Sequence, residues 1–442
     1  MANPSTQSPF TLFQTRIIAF LAAPAMAIFI TSNLVNVGNL SFNLIFSRWM
    51  GPELFGDLTL LLTLKLALLG ILGAFQSAIS QLVAATPAAG QDRLKRILAV
   101  LNKSALVFGF VVLPLAIFAL YVSDTRLFFG VNNERTLLLL LVSLPFAASL
   151  SILRGVALGA LYVRGIVRSA IVEMGVRLIF AILAWQLGLG LVGVVLAIVL
   201  SIGAGWLVLT DLLPKPSRIP SNFARFSVDM GLKALPFGVL YFAQVLALDG
   251  DIFIAKAILP SEDAGLVAAL LLFQRIQFFA CFALASILLP SVISAARGHQ
   301  KLLPSLAPIL GLFGLTALIF LALVKLYPDV LIRLLVGADY AAASEGLMLA
   351  AVSAVAFTLS FLIATFLAAI GDRRGIWITA LVAVAQLGIM LAFTNDSSVT
   401  FMTILQIKSV CQVALTLGLS LYAGVRVMSF ANTLHPNSIE RA

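Results

Sequence analysis

Charged residues are scarce in this 442-residue chain. Asp, Glu, Lys and Arg together make up 10% of it and hydrophobic residues 61%, whereas soluble globular proteins carry roughly 25% charged residues. A soluble core could not bury so much apolar surface, but a lipid bilayer solvates that surface directly. The composition therefore excludes an ordinary soluble enzyme and indicates an integral membrane protein.

Residues for metal binding and catalysis are also few. The chain has two histidines, His299 and His435, and two cysteines, Cys281 and Cys411. Neither a histidine-based metal site nor a catalytic triad can be assembled from them, and both cysteines fall in apolar segments without metal-ligand spacing. No Gly-rich loop ends in Gly-Lys-Ser/Thr, the signature of a common class of ATPase. We therefore expect a protein that is not an enzyme and uses no cofactor or metal.

Apolar stretches long enough to span a membrane recur along the whole chain. One helical span needs about 20 apolar residues. Twelve stretches of suitable length are separated by polar, Pro or Gly residues, at 20–46, 55–84, 97–122, 136–161, 166–187, 190–212, 230–258, 264–293, 304–327, 342–370, 374–394 and 399–424. The predicted fold is an all-α polytopic membrane protein of about twelve transmembrane helices.

Basic residues are distributed unevenly between the two sets of loops. The termini and the loops after even-numbered spans hold fifteen, namely Arg16, Arg93, Lys95, Arg96, Arg164, Arg168, Lys215, Arg218, Arg225, Arg297, Lys301, Arg373, Arg374, Arg426 and Arg441. The loops after odd-numbered spans hold four, namely Arg48, Arg126, Arg135 and Arg333. By the positive-inside rule, this predicts a multi-pass protein of the cytoplasmic (inner) membrane with both termini in the cytoplasm. The net charge of +10 is then loop bias, and no nucleic-acid partner is expected.

The two halves of the chain resemble each other around a Pro-rich, basic midpoint. Residues 51–56 (GPELFG) open span two, and residues 259–265 (LPSEDAG) open span eight. Because each half holds an even number of spans, the two copies should have the same orientation and be related by a pseudo-twofold axis along the membrane normal. The predicted division is an N-terminal six-helix lobe at 1–213, a cytoplasmic linker at 214–228, a C-terminal six-helix lobe at 229–427 and a cytoplasmic tail at 428–442.

Two cations are predicted at matching depths of the repeat. Lys65 lies within span two and Arg275 within span eight, where an ionisable side chain costs on the order of 2.5–3.5 kcal/mol. If both face a midline cavity, they would attract a polyanion such as a pyrophosphate head group. We add the neighbouring Gln274 to this predicted binding set. Alternatively, each cation snorkels or pairs with an acid on a neighbouring helix.

Amide and hydroxyl side chains form a stripe along span one. Ser32, Asn36, Asn39 and Asn43 share one helical face. They could line a wet cavity that accepts sugar hydroxyls, or form interhelical hydrogen bonds worth about 0.6 kcal/mol each. Span twelve repeats the pattern, and interhelical bonding is favoured there, for Ser409, Gln412, Thr416 and Ser420.

Acidic residues in span seven are candidates for ion coupling. Asp249 and Asp251 are followed by Lys256, and a membrane-embedded acid commonly carries a proton or sodium ion. The alternatives are solvation or a pair with Lys256.

Other charges have a structural interpretation. Arg154, Glu173 and Arg177 lie close enough in the sequence to form a structural charge cluster. We also expect one pair among three further charged residues, Lys325, Glu345 and Lys408.

Several motifs resemble one known transporter family. Residues 48–61 (RWMGPELFGDLTLL) are similar to its signature of arginine, Gly-Pro, acid and aromatic-Gly. Arg154-Gly155 with Gly159, Glu173 with Arg177, and the stretch 249–266 follow in the family's order. The chain thus resembles the polysaccharide-transport (oligosaccharide flippase) branch of the multidrug/oligosaccharidyl-lipid/polysaccharide (MOP) exporter superfamily. It departs from that branch at Leu158, where relatives often carry Gln, and at Val267, where they often carry an aromatic residue.

The resemblance implies two six-helix lobes around a central cavity and a flippase for an undecaprenyl-pyrophosphate-linked glycan. A polysaccharide polymerase or export machinery would then be a further partner, besides the lipid bilayer itself. The energy source would be a proton or sodium gradient in place of ATP. The alternatives are a cation-coupled drug or metabolite exporter of the same fold, an intramembrane glycan polymerase and a non-transporting scaffold.

Overall fold

The computed structural model describes residues 24–122, 134–215, 221, 223–296, 302–393 and 399–433. These residues form fourteen α-helices and two short 3-10 helices (Thr210–Leu212 and Ala338–Gly346), without a strand. The α-helices are α1 Pro24–Ala85, α2 Ala88–Val122, α3 Glu134–Val142, α4 Leu144–Gly159, α5 Val163–Gln186, α6 Gly190–Leu207, α7 Phe223–Asp249, α8 Asp251–Ile258, α9 Ser261–Ala296, α10 Leu302–Leu326, α11 Pro328–Leu335, α12 Leu347–Ala369, α13 Arg374–Ala392 and α14 Phe401–Thr433.

Most of these helices can cross a membrane. Among the described residues, ten segments are long and apolar enough to do so. One of the ten, Asn33–Ala85, covers two predicted spans. The 24-residue α5 is not among the ten, although at 1.5 Å per residue it would reach about 36 Å. The all-α, polytopic fold is therefore confirmed.

Gly51 separates the first two predicted spans inside α1. Its φ of 70° and ψ of 175° are non-helical, and glycine adopts positive φ without the steric cost that a Cβ brings. Pro52 follows, at the start of the second part, where its missing N–H costs nothing. The GP pair of the sequence is thus the physical cause of the break.

Other breaks divide or join the predicted spans. Span four consists of α3 and α4, which meet at Ser143, and span seven consists of α7 and α8, which meet at Gly250. The predicted turn between spans five and six is present, with φ of 75° at Gly188 and 58° at Gly190.

By packing, the chain forms two compact units that are not the two halves of the sequence. The first unit takes its residues from 1–41, 75–117 and 138–231, and the second from 42–74, 118–137 and 232–442. Residues 42–74, from the N-terminal half, therefore belong to the same unit as the C-terminal half. The predicted six-helix lobes and the axis relating them stay a prediction.

An aromatic core holds the second unit together. Phe278 of α9 stacks on Phe357 of α12 with ring centroids 5.8 Å apart, and meets Phe361 edge-on at 5.3 Å. Cys281 lies fully buried in the same cluster, as a small apolar residue. These contacts fix α9 against α12, and α9 carries Gln274 and Arg275.

Some predicted features lie outside the described residues. They include most of the N-terminal segment, part of the 214–228 linker and the end of the tail, together with His299, His435, Arg16, Arg126, Arg218, Arg297, Lys301 and Arg441.

Candidate functional site: a buried charge network

Three buried ion pairs lie in the membrane helices of the second unit. They join Asp57 to Lys256 at 2.6 Å, Asp249 to Arg275 at 2.7 Å and Asp251 to Lys408 at 2.9 Å. No side chain in these pairs is more than 8% exposed. Removal of one partner from such a pair leaves an uncompensated buried charge, so each residue depends on its own partner.

The junction between α7 and α8 directs the two acids of span seven to different helices. Asp249 ends α7 and Asp251 begins α8, with Gly250 between them. Residues two positions apart on a helix do not share a face. Asp249 accordingly meets α9, whereas Asp251 meets α14.

Arg275 is held by two partners within the second unit. Its Nε donates to Asp249 Oδ1 at 2.7 Å, and its Nη2 donates to Thr63 Oγ1 at 3.0 Å. The structure thus shows the alternative in which this cation pairs with an acid on a neighbouring helix. Lys65 is also buried in this unit, at 4% exposure. Substrate binding by Lys65 and Arg275 stays a prediction.

Lys408 is enclosed by oxygen atoms. Its Nζ donates to Leu248 O at 2.7 Å, to Asp251 Oδ2 at 2.9 Å and to Gln274 Oε1. The predicted pair among Lys325, Glu345 and Lys408 is therefore wrong for Lys408. A buried Lys must find an acid, but the sequence does not show which of several acids is within reach.

Lys256 also has a different partner from the one considered in the sequence. It pairs with Asp57 and not with Asp249 or Asp251, because those two acids are engaged by Arg275 and Lys408. Asp57 belongs to the GPELFGDL motif and was not among the predicted site residues. The sequence signal that could have identified it is an acid inside predicted span two (55–84), because an acid in the membrane requires a partner or a function.

Residues 47–63, which we call the 47–63 strip, make further contacts with the C-terminal half. Tyr340 donates its hydroxyl to Ser47 O at 2.9 Å, and the Arg48 guanidinium donates to Leu334 O. Gly265 lies so close to Pro52 that an added Cβ would come within 2.2 Å of Pro52 O. Together with the contacts of Asp57 and Thr63, they hold the whole strip against residues of the C-terminal half within the second unit.

The predicted charge cluster lies in the first unit. Arg154 Nη2 donates to Glu173 Oε2 at 2.8 Å and to Ser169 Oγ at 3.0 Å. Arg177 donates to Asn39 Oδ1. Arg154 and Glu173 thus meet as a structural cluster requires, while Arg177 connects to the polar stripe of span one.

The two polar stripes differ in their surroundings. On span one, Asn39 accepts an interhelical hydrogen bond and Asn36 is half-buried. Asn43 is buried and belongs to the second unit. Three of the four residues of the span-twelve stripe make the interhelical bonds that its pattern favoured, from Ser409 Oγ to Leu349 O at 3.0 Å, from Gln412 to Gln386 Oε1, and from Thr416 Oγ1 to Ala356 O at 2.8 Å. The fourth, Ser420, is exposed.

A separate charge cluster is centred on Asp372, which lies in the turn between α12 and α13, outside the spans. Asp372 accepts hydrogen bonds from Tyr422 Oη at 2.7 Å, Arg426 Nε at 2.8 Å and the Arg374 N–H at 3.0 Å. Burial alone would raise the pKa of this carboxyl, but these donors and the Arg426 charge outweigh it and lower the pKa below the usual 3.8. Asp372 therefore stays ionised in a folded protein at any physiological pH.

The comparisons with known proteins bear on the fold. No family model and no curated protein matches the sequence. Among solved structures, an inward-facing multidrug resistance MATE family transporter of the MOP superfamily matches with a TM-score of 0.75 and 13% identity, over 91% of this chain and 96% of that one. The lipid II flippase MurJ in an inward closed conformation matches with a TM-score of 0.70 and 14% identity, over 91% and 87%. The chain has the fold of the MOP superfamily.

This MOP fold is shared by proteins with different cargoes. An outward-facing MATE transporter of the superfamily also matches, with a TM-score of 0.64 and 16% identity over 93% of this chain. At such identities the likeness is one of fold, and cargo has to be argued from the side chains. In the part of the chain that the structure describes, no group of three His, Cys, Asp or Glu residues could hold a metal ion.

Proposed function

We propose that the chain is a transporter that flips a polyprenyl-pyrophosphate-linked oligosaccharide across the cytoplasmic membrane by alternating access, for surface polysaccharide (O-antigen or exopolysaccharide) synthesis. Its support is the MOP fold, the motifs that resemble the oligosaccharide flippases, and the charges buried in the second unit.

One observation carries the choice of an anionic cargo. Among the described residues, three acids are buried in the membrane helices of the second unit: Asp57, Asp249 and Asp251. Each already pairs with a Lys or Arg of this protein at less than 3 Å. An organic cation would have to displace one of those bases and leave it buried without a counter-charge. The drug-exporter alternative, which needs acids available to a cationic cargo, is disfavoured for this reason.

Buried bases in these helices are the groups that an anionic cargo could use. Lys65 and Arg275 are 4% and 7% exposed, and an arginine can hold a phosphate or pyrophosphate group through two parallel N–H bonds. The predicted sugar contacts are the stripe amides Asn36, Asn39 and Asn43.

Asp249 and the cargo would compete for Arg275. With its carboxylate ionised, Asp249 holds the guanidinium at 2.7 Å. Once protonated, it would release Arg275 to the pyrophosphate. This exchange gives Asp249 a role in coupling a proton gradient to transport, and it needs no nucleotide.

The direct test is surface glycan export by cells that carry single substitutions. Lys65→Ala and Arg275→Ala should each abolish export. Because Arg275→Ala leaves Asp249 buried without its base, export is compared at equal protein level in the membrane, with Arg275→Ala/Asp249→Asn, which removes both charges, beside it. Lys233→Ala, which removes an exposed lysine of α7, is the matched control and should export normally. Normal glycan output from both Lys65→Ala and Arg275→Ala would refute the cargo assignment.

The alternatives predict other outcomes. A cation-coupled exporter would lower the accumulation of fluorescent organic cations in cells, with glycan output unaffected by its deletion. A glycan polymerase would leave short glycans on the outer surface when deleted, and a scaffold would be insensitive to both cation substitutions. A flippase deletion should instead retain lipid-linked glycan on the cytoplasmic side.

A further inference from the structure

The surroundings of the Lys408 ammonium group are those of a bound cation. Three oxygens of three chemical kinds accept from it: the backbone carbonyl of Leu248, the carboxylate of Asp251 and the side-chain amide of Gln274. The side chains of Lys408 and Asp251 are 1% and 0% exposed. Backbone carbonyls, carboxylates and amide oxygens are also the ligands that hard metal cations take in proteins.

The second carboxylate oxygen of Asp251 is a further candidate ligand. Asp251 Oδ1 is buried and has no hydrogen-bond partner in the described part of the chain. A buried polar atom without a partner is costly, and here it belongs to the carboxylate that holds the ammonium. Three oxygens thus surround one positive charge, which the Lys408 side chain carries in from α14, and a fourth oxygen without a partner belongs to the same carboxylate.

The position of these oxygens in the fold also suits a cation. Leu248 and Asp251 flank the α7–α8 junction, where the helix ends and backbone carbonyls lose their intrahelical partners. Helix C-terminal carbonyls carry partial negative charge, and interrupted helices commonly coordinate monovalent cations in transporters.

We propose that Lys408 is a built-in cation in a monovalent-cation site formed by Leu248 O, Asp251 and Gln274. In the wild-type protein the ammonium group occupies this site permanently, so sodium does not bind there. Removal of the ammonium group converts the same oxygens into a sodium site.

The inference rests on the proposed transport function in one respect, the energy source. If Lys408 is a permanent occupant, Asp251 cannot release an ion in each cycle, and sodium coupling through this position is excluded. The proton exchange proposed at Asp249 does not use this site and is unaffected. The binding site itself requires no assumption about the cargo, and it can be tested without any transport assay.

The test uses the thermal unfolding midpoint of the purified full-length protein in detergent, at constant ionic strength with sodium chloride replaced by choline chloride. Lys408→Ala should be destabilised in choline and gain a few degrees once sodium exceeds its dissociation constant about a hundredfold. The wild-type midpoint should not change between the two salts. Lys408→Ser, whose hydroxyl adds an oxygen ligand, should respond at least as strongly as Lys408→Ala.

Three controls define the site. Lys256→Ala removes a lysine of equal burial that is held by one carboxylate, and it should show no sodium response. Lys408→Ala/Asp251→Asn lacks the site's charge and should lose the response. Ammonium chloride, which matches the native group, should stabilise Lys408→Ala as sodium does.

Each contrary result overturns the proposal. A sodium response in the wild type, an equal response in Lys256→Ala, or no response in both Lys408 variants would do so. A response to ammonium without one to sodium would show a hydrogen-bonding pocket and not a cation site. Failure of both Lys408 variants to accumulate in membranes of cells grown in high sodium would show that no metal ion can replace the ammonium. If the binding results hold and glycan export proves unrelated, the proposed function fails while this site stands.

Discussion

The carboxylate of Asp57 lies 2.6 Å from the ammonium group of Lys256, although the two residues come from opposite halves of the chain. Asp57 is part of the 47–63 strip, which also touches Tyr340, Gly265 and Arg275. These contacts hold residues of the N-terminal half against the C-terminal half within one packing unit.

Substitution of either member of the Asp57–Lys256 pair should be strongly destabilising. Asp57→Ala or Lys256→Ala leaves the other charge buried, at a cost of about 3–5 kcal/mol. The unfolding midpoint in detergent measures this, with Glu53→Ala, an exposed acid of the same helix, as the control. The swap Asp57→Lys/Lys256→Asp should recover part of the loss, and a swap no better than the single changes would argue against a specific pair.

Gly265 should tolerate no side chain. In Gly265→Ala the new Cβ would lie 2.2 Å from Pro52 O, so the strip must move, at about 1–3 kcal/mol. Gly311→Ala in α10, where nothing lies within 4 Å of the added Cβ, should instead stabilise the helix by about 0.5–1 kcal/mol. The two unfolding midpoints should move in opposite directions. Equal shifts would mean that the close contact is not present in the membrane protein.

The two acids of span seven should respond differently to neutralisation. If Asp249 couples export to a proton gradient as proposed, Asp249→Asn cannot exchange the proton and should lose the gradient dependence of glycan export, in addition to the stability lost because Arg275 has no acid partner. Asp251→Asn should mainly lower stability, because it weakens the hold on Lys408. Export at several external pH values, with and without a protonophore, separates the two. Export and gradient dependence unchanged in both variants would place the coupling outside span seven.

Asp372 should make stability depend on pH only under acidic conditions. Its donors lower its pKa below the ordinary 3.8, so its contribution is present above about pH 4 and is lost as the pH falls through the folded value. At neutral pH, Asp372→Asn should be less stable than the wild type, and the difference should shrink as the pH is lowered below 4. A constant difference at every pH would contradict an ionised Asp372.

The helices were predictable from the sequence because lipid imposes one rule, a long apolar run, on each of them. The GP pair at Gly51 and the glycines between α5 and α6 marked breaks by local chemistry alone. The partners of the buried charges were not predictable. Lys408 meets Asp251, and Lys256 meets Asp57, through the packing of helices far apart in the sequence. Spacing can place a charge on a helix face, but it does not identify the helix opposite.

The left-handed backbone of Gly51 determines more than one helix. Without that break, the 62 residues of α1 would form a rod of about 93 Å, three times the thickness of the hydrocarbon core. The chain would then cross the bilayer once where it now supplies two spans. Every later loop would emerge on the opposite face, and the basic loops would have to cross the membrane against the positive-inside rule. The predicted sidedness of the later loops therefore requires the helix break at Gly51.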